Sequence, residues 1–174
     1  MLIGIHSVAA FKEQRTGVEE YAYRLIKNLT ELQEAGGQNA ASFVLYTNRV
    51  SSELDKILEG RENFKIKILR FPFLWTQIRL SLEMFFSPPD ALFIPAHILP
   101  LIYPKNSVVM VHGLEYERLP DCYPFFFRRY LRMATKFSCP TAAKIIVPSE
   151  STKRDLIEFY GVSPEKISVV YHGF

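Results

Sequence analysis

The chain has 174 residues, 48% of them hydrophobic and 22% charged, which suits one globular domain with a sizeable core and excludes a disordered polypeptide. Its net charge of +3 is too mild to mark a nucleic-acid binder, which concentrates far more basic charge. Cys122 and Cys139 lack metal-ligand spacing, and Met1–His6 shows neither a basic n-region nor a cleavage site, so reduced thiols in a cytoplasmic protein are expected.

Short apolar runs alternate with helical patterns along the chain, the signature of a parallel sheet wrapped by helices. Leu2–Val8 predicts a buried first strand. Thr16 and Glu19 form a T-x-x-E capping box, and the helix they start carries Val18, Tyr21, Ala22, Leu25, Leu29 and Leu32 at one-face spacing until Gly36-Gly37. Ser42–Thr47 predicts a second strand, Ser51–Leu58 a short helix, and Phe64–Arg70 a third strand. Trp75–Phe86 is expected to be helical and to stop before Pro88-Pro89.

Ala91–Pro95 and Ser107–Val111 predict two further buried strands, and Tyr123–Ser138 an amphipathic helix. Lys144–Val147 follows as a strand, then a helix capped by Ser149 that ends near Tyr160, with Gly161 suited to a left-handed residue. Ser163-Pro164-Glu165 resembles an N-cap with proline at the first helical position, and Ile167–Tyr171 is the last strand. A chain that stops just after a strand is read here as cut short of a closing helix.

In open α/β sheets ligands bind at the carboxyl ends of the strands, and several chemistry-bearing residues fall there. Gly17 opens a helix N-terminus that favours an anion, with Arg15 and Lys12 nearby; a plain cap is the competing reading. No G-x-G-x-x-G follows the first strand, which disfavours a dinucleotide-dependent dehydrogenase. His112 ends the run Val108–Val111 and precedes Gly113, where an imidazole can bond a sugar hydroxyl or polarise a leaving group, although most such histidines are structural. His6, His97 and His172 occupy similar strand-end positions, and no H-x-x-x-H pair argues for zinc. Ser149 lacks a G-x-S-x-G elbow and reads as a cap rather than a nucleophile.

The helix after Pro124 stacks Arg128, Arg132 and Lys136 at i, i+4 and i+8 beside Phe125 and Arg129, with Phe127, Tyr130, Leu131 and Ala134 opposite. A docked helix with a solvated basic face is the plain reading; peripheral contact with anionic lipid through Phe125, Arg128 and Arg132 is the functional one.

The order Arg15–Tyr21, Trp75-Thr76-Gln77, Asp90–Pro100, Val109–Leu114 with Pro120, and Ile145–Tyr160 resembles the N-terminal domain of family 4 retaining glycosyltransferases of the GT-B fold. Val147–Leu156 is similar to the family's "vS-x-x-s-x-x-d-l" pattern, and Ile167–Phe174 to its hinge, with His172 where asparagine is usual. Gly113 stands where the family usually has aspartate, which removes a carboxylate from that motif.

The resemblance implies an α/β, Rossmann-like parallel sheet flanked by helices over residues 1–174, the acceptor-side half of a two-domain enzyme. The other half would hold the nucleotide-sugar and supply a basic pair and paired glutamates, so this chain alone is expected to be inactive. By matching position, Gly17 and Arg15 would approach the donor diphosphate and His112 would contact the transferred hexosyl group. His6, His97, Glu115 and Ser149 would line the cleft, although Glu115 is not assigned the missing aspartate's role. The implied substrates are a nucleotide-sugar and a saccharide or lipid-linked glycan, with no cofactor, metal or nucleic acid. A non-catalytic α/β small-molecule binding module, of receiver or periplasmic type, is the alternative. His6-Ser7 replaces the acidic cluster a receiver needs after its first strand, and the expected absence of a signal peptide disfavours a periplasmic protein.

Overall fold

The computed structural model describes residues 1–174 except Glu13, 36–40, Val50, His97 and Phe174, and leaves out the side chains of Gln33, Glu34 and Ala35. The element order is β1 (Leu2–His6), α1 (Gly17–Ala35), β2 (Ser42–Thr47), α2 (Ser52–Leu58), β3 (Phe64–Ile68), α3 (a π turn Thr76–Leu80 running into Ser81–Phe86), β4 (Ala91–Ile94), β5 (Ser107–Met110), α4 (Glu115–Arg118), α5 (Phe125–Thr141), β6 (Lys144–Val147), α6 (Glu150–Tyr160) and β7 (Ile167–Val169).

All seven strands are parallel, in the order β3-β2-β1-β4-β5-β6-β7. The chain builds outward from β1 to β3 and then restarts on the other side of β1 with β4. The switch point therefore lies between β1 and β4, where His6 and Pro95 end or follow their strands. Gly4 is fixed by packing: a Cβ there would lie 2.8 Å from both Pro89 Cγ and Tyr46 Cε2. That accounts for a glycine inside the strand without any phosphate-binding role.

The sheet buries both faces, as parallel sheets require. On one side Ala22 and Ile26 of α1 and Leu54 of α2 pack on Ile5, Phe43, Leu45 and Phe64. On the other, Leu80 and Met84 of α3, Cys139 of α5 and Leu156 of α6 pack on Leu92, Ile94, Val109, Ile145 and Val147.

Two helical faces differ from the sequence expectation. In α1 the buried line is Ala22, Ile26 and Thr30, while Leu32 is 66% exposed and Tyr21 and Leu25 are half-buried. The helix carries apolar residues over more than one face, so periodicity admits two phases, and slim Ala22 and Thr30 permit the closer approach to the sheet. In α5 the docked line is Thr135, Ser138 and Cys139, whereas Phe127 and Tyr130, expected on the packed face, are exposed. Polar atoms hold that face: Ser138 Oγ accepts from Leu99 N (3.0 Å), and Thr135 Oγ1 bonds Tyr116 Oη (2.6 Å).

The helix ends are more faithful. Ser149 Oγ accepts from Thr152 N at 3.1 Å, and Gly161 has φ 61°, the left-handed residue a helix end favours. At α1 the box is half made: Glu19 accepts from Thr16 N (3.1 Å), while Thr16 Oγ1 donates to the same carboxylate. Pro164 opens only a 3-10 turn, Pro164–Lys166, with no side-chain cap from Ser163. The expected helix boundary Gly36-Gly37 lies outside the described residues.

Candidate functional site at the carboxyl edge of the sheet

The end of β1 and the start of α3 meet at His6. Its Nε2 lies 3.0 Å from Thr76 Oγ1, and its ring meets Trp75 edge-on at 5.2 Å. Burial lowers its pKa to about 4, so the ring is neutral, and Nδ1 is buried without a hydrogen-bond partner. Next along, Gln77 Nε2 donates to Leu99 O (3.0 Å), tying α3 to the loop after β4. Thus Trp75-Thr76-Gln77, a motif without an assigned task in the sequence, brackets the switch point. His6 is a buried wall of the site rather than an open lining group.

Gly17 is exposed, with nothing within 4 Å of where a Cβ would be. The cations expected to assist it are engaged. Arg15 pairs with Glu53 (3.1 Å) and Glu20 (3.5 Å) and lies over the Tyr23 ring at 3.9 Å. Lys12 pairs with Glu19 at 2.6 Å. Against the opposing effect of burial, hydrogen bonds from Lys12 and Thr16 hold the Glu19 carboxyl at about 2. A phosphate at Gly17 would find backbone N–H groups but would have to compete with three carboxylates for Arg15 and Lys12.

His112 follows β5 and is half-buried. Its Nε2 lies 2.8 Å from Pro95 O, and since a carbonyl only accepts, Nε2 is the donor. In the neutral ring the lone pair is then on Nδ1. Tyr21 meets the ring edge-on at 4.9 Å, and His172 stacks on it at 5.8 Å. Burial pushes the pKa of His112 down; the Pro95 bond opposes this, His172 lowers it further, and Glu115 and Glu19 raise it. The backbone is held too: Thr152 Oγ1 donates to His112 O at 3.5 Å, and Ser149 Oγ stands 3.0 Å from Thr152 Oγ1. Ser149 therefore caps α6 and, through Thr152, braces His112.

Of the expected residues, His112, Ser149 and Gly113-Glu115 form one constellation, joined through Tyr21 to the Gly17 helix. His97 lies outside the described residues. Missed in the sequence were Tyr21, Thr76, Gln77, Thr152 and the Pro95 carbonyl. A groove of about 520 Å³ runs beside this constellation, lined by Gly17, Tyr21, Arg24, Asn28, Tyr171 and His172.

A second surface lies on the opposite side of the sheet. Phe125, Phe126, Phe127 and Met133 of α5 are exposed, Phe126 by 83%. Ile78, Leu82, Phe85 and Phe86 form an exposed stripe on α3, Phe86 by 78%. Leu101 and Ile102, also exposed, are tied to α3, their backbone N–H groups donating to Ser81 Oγ (2.9 and 3.4 Å). Arg128 is half-buried, with Nε buried and unpartnered, and Arg132 donates to Glu117 at 2.9 Å. Arg129 and Lys136 line a groove of about 390 Å³ between α5 and α6, with Phe159 and Tyr160.

A doubly covered parallel sheet with polar groups gathered beyond its carboxyl edge defines a Rossmann-like domain. The chain belongs to glycosyltransferase family 4, whose model matches residues 15–174. No curated protein sequence matches it. The structure is similar to that of Anabaena Alr3699/HepE in complex with UDP-glucose, with a TM-score of 0.63 at 16% identity. That match covers 100% of this chain and 44% of HepE. The HepE complex with UDP and glucose gives a TM-score of 0.59 at 14% identity, over 100% of this chain and 45% of that one. The sheet thus corresponds to about half of a GT-B glycosyltransferase. Among the described residues no helix is long and apolar enough to cross a membrane.

Proposed function

We propose that this chain is the acceptor-side domain of a retaining, nucleotide-sugar-dependent glycosyltransferase that transfers a hexosyl group to a saccharide or lipid-linked glycan. The observation that carries the reading is the convergence of His112, Ser149 and the Gly17 helix beyond the carboxyl edge, in a chain of family 4. HepE was solved with UDP-glucose, which favours a nucleotide-sugar as the donor. Because the chain spans 44% of HepE, a second domain is taken to hold that donor, and residues 1–174 alone to be inactive.

In this reading Gly17 offers backbone N–H groups to the donor diphosphate, with Arg15 available after it leaves Glu53. His112 offers a hydrogen bond to the transferred sugar, held by Pro95. His6, His97, Glu115 and Ser149 shape the acceptor side. The donor is a substrate, and no cofactor or metal is assigned.

The domain is also taken to rest on the inner face of a membrane from the cytoplasmic side. Support comes from the exposed aromatics of α5 and α3, with Arg129 and Lys136 beside them for anionic headgroups. Arg128 and Arg132, first expected to carry that contact, serve it less directly because they are half-buried and paired respectively.

Glucose and UDP-glucose titrated into the isotope-labelled chain test the reading by NMR. Shifts at His112, Ser149 and Glu115 support it; shifts confined to other surfaces contradict it.

A further inference from the structure

Gly113 and Glu115 share one small space. A Cβ built on Gly113 would stand 2.7 Å from Glu115 Cδ and 2.8 Å from Oε2, with Oε1 nearer still. The volume that a side chain at position 113 would enter is therefore filled by the Glu115 carboxylate, folded back from the first turn of α4. Neighbouring acids have partners, Glu117 in Arg132 and Asp155 in Arg118, whereas no described cation pairs with Glu115. The residue is exposed, yet its charge acts on His112.

We propose that Glu115 is the carboxylate of the His112 site, a positioning residue that brings to the Gly113 backbone the negative charge no side chain at 113 can supply. Among the described residues the groups that face His112 include Tyr21 and Glu19 from α1, the Pro95 carbonyl from the loop after β4, Glu115 from α4 and His172 from the segment after β7. Glu115 favours a proton on the ring, and His172 opposes it. A carboxylate beside an imidazole sets how readily the ring holds and returns that proton, which is what acid–base work on a sugar hydroxyl demands. This consequence rests on the reading of His112 as the sugar-facing residue; the juxtaposition itself does not.

The test relocates the carboxylate. The midpoint of His112 is read by NMR of ring-labelled histidine in the 174-residue chain, in the wild type, in Glu115→Gln, and in Gly113→Asp combined with Glu115→Ala. Glu115→Gln is expected to lower the His112 midpoint, and the double variant to return it toward the wild-type value. An unchanged midpoint in Glu115→Gln overturns the proposal, as does a well-folded double variant that stays at the lowered value. Glu115→Gln keeps the shape of the side chain and decides alone if the double variant folds poorly. Midpoints that behave as expected while glucose leaves His112 unmoved would remove the sugar-site reading and keep this one.

Discussion

The rings of His112 and His172 lie parallel, 5.8 Å apart at an interplanar angle of 15°, and Tyr21 meets both edge-on at 4.9 Å. The segment leaving β7 thereby touches a residue just beyond β5, and the two imidazoles cannot both be charged without repulsion. His172→Ala is expected to raise the His112 midpoint and to abolish the ring–ring contact seen by NOE. His172→Phe is expected to raise the midpoint while keeping the contact. An unchanged midpoint in both would show that His172 exerts no charge on His112.

His6 makes stability depend on pH. Its folded pKa of about 4 lies below the usual 6.5, so the native state keeps it neutral while the unfolded chain takes up a proton. Stability from this group is full above the unfolded value and is lost as pH falls from 6.5 toward about 4. The two values imply a loss on the order of 3 kcal/mol. Glu19, held at about 2, acts in a lower window. Denaturant unfolding between pH 7 and 4 should show a slope that flattens in His6→Gln; an equal slope in that variant would assign the loss elsewhere.

Glu117 is held by an ion pair and a phenol hydrogen bond. Its side chain is 5% exposed and accepts from Tyr160 Oη at 2.5 Å and from Arg132. Tyr160→Phe removes a charge-assisted bond from a buried carboxylate and is expected to cost about 1.5–3 kcal/mol. Arg132→Ala should also destabilise, so charge reversal at Arg132 confounds folding with any lipid contact. Unchanged unfolding midpoints in both variants would show that the Glu117 carboxylate is held by other means.

The proposed lipid contact is therefore better probed elsewhere. Co-sedimentation with vesicles containing anionic phospholipid should fall on Arg129→Glu with Lys136→Glu, and separately on Phe86→Ser, with unfolding midpoints unchanged. Salt should weaken the first contribution more than the second. Binding that ignores both changes would remove α3 and α5 from the lipid contact.

The strands were legible because buried parallel strands are short apolar runs between breakers, and Ser149 and Gly161 because caps depend on local chemistry. The α5 face was not, since its docked line is Thr135, Ser138 and Cys139, which carry little hydrophobic signal. His112 was legible as a strand-end histidine. Its supports were not: Pro95 is 17 residues away, and Thr152 is 40. His6 and Thr76, 70 residues apart, meet only because β4 returns beside β1. Arg15 and Lys12 looked available because sequence shows charge but not the acids that neutralise it.

His112→Ala removes the hydrogen bond to Pro95, a contact worth about 1 kcal/mol of stability, whereas in a two-domain enzyme it should lower turnover by about 10²–10⁴-fold. Matched turnover with matched melting would make His112 structural.

The most direct test of the central claim is sugar transfer from UDP-glucose to saccharide acceptors by the purified 174-residue chain, with sugar-induced shifts followed in the same sample. No glycoside above the blank is expected, together with shifts at His112, Ser149 and Glu115. A glycoside formed by the chain alone, or shifts only in the groove between α5 and α6, would contradict the claim.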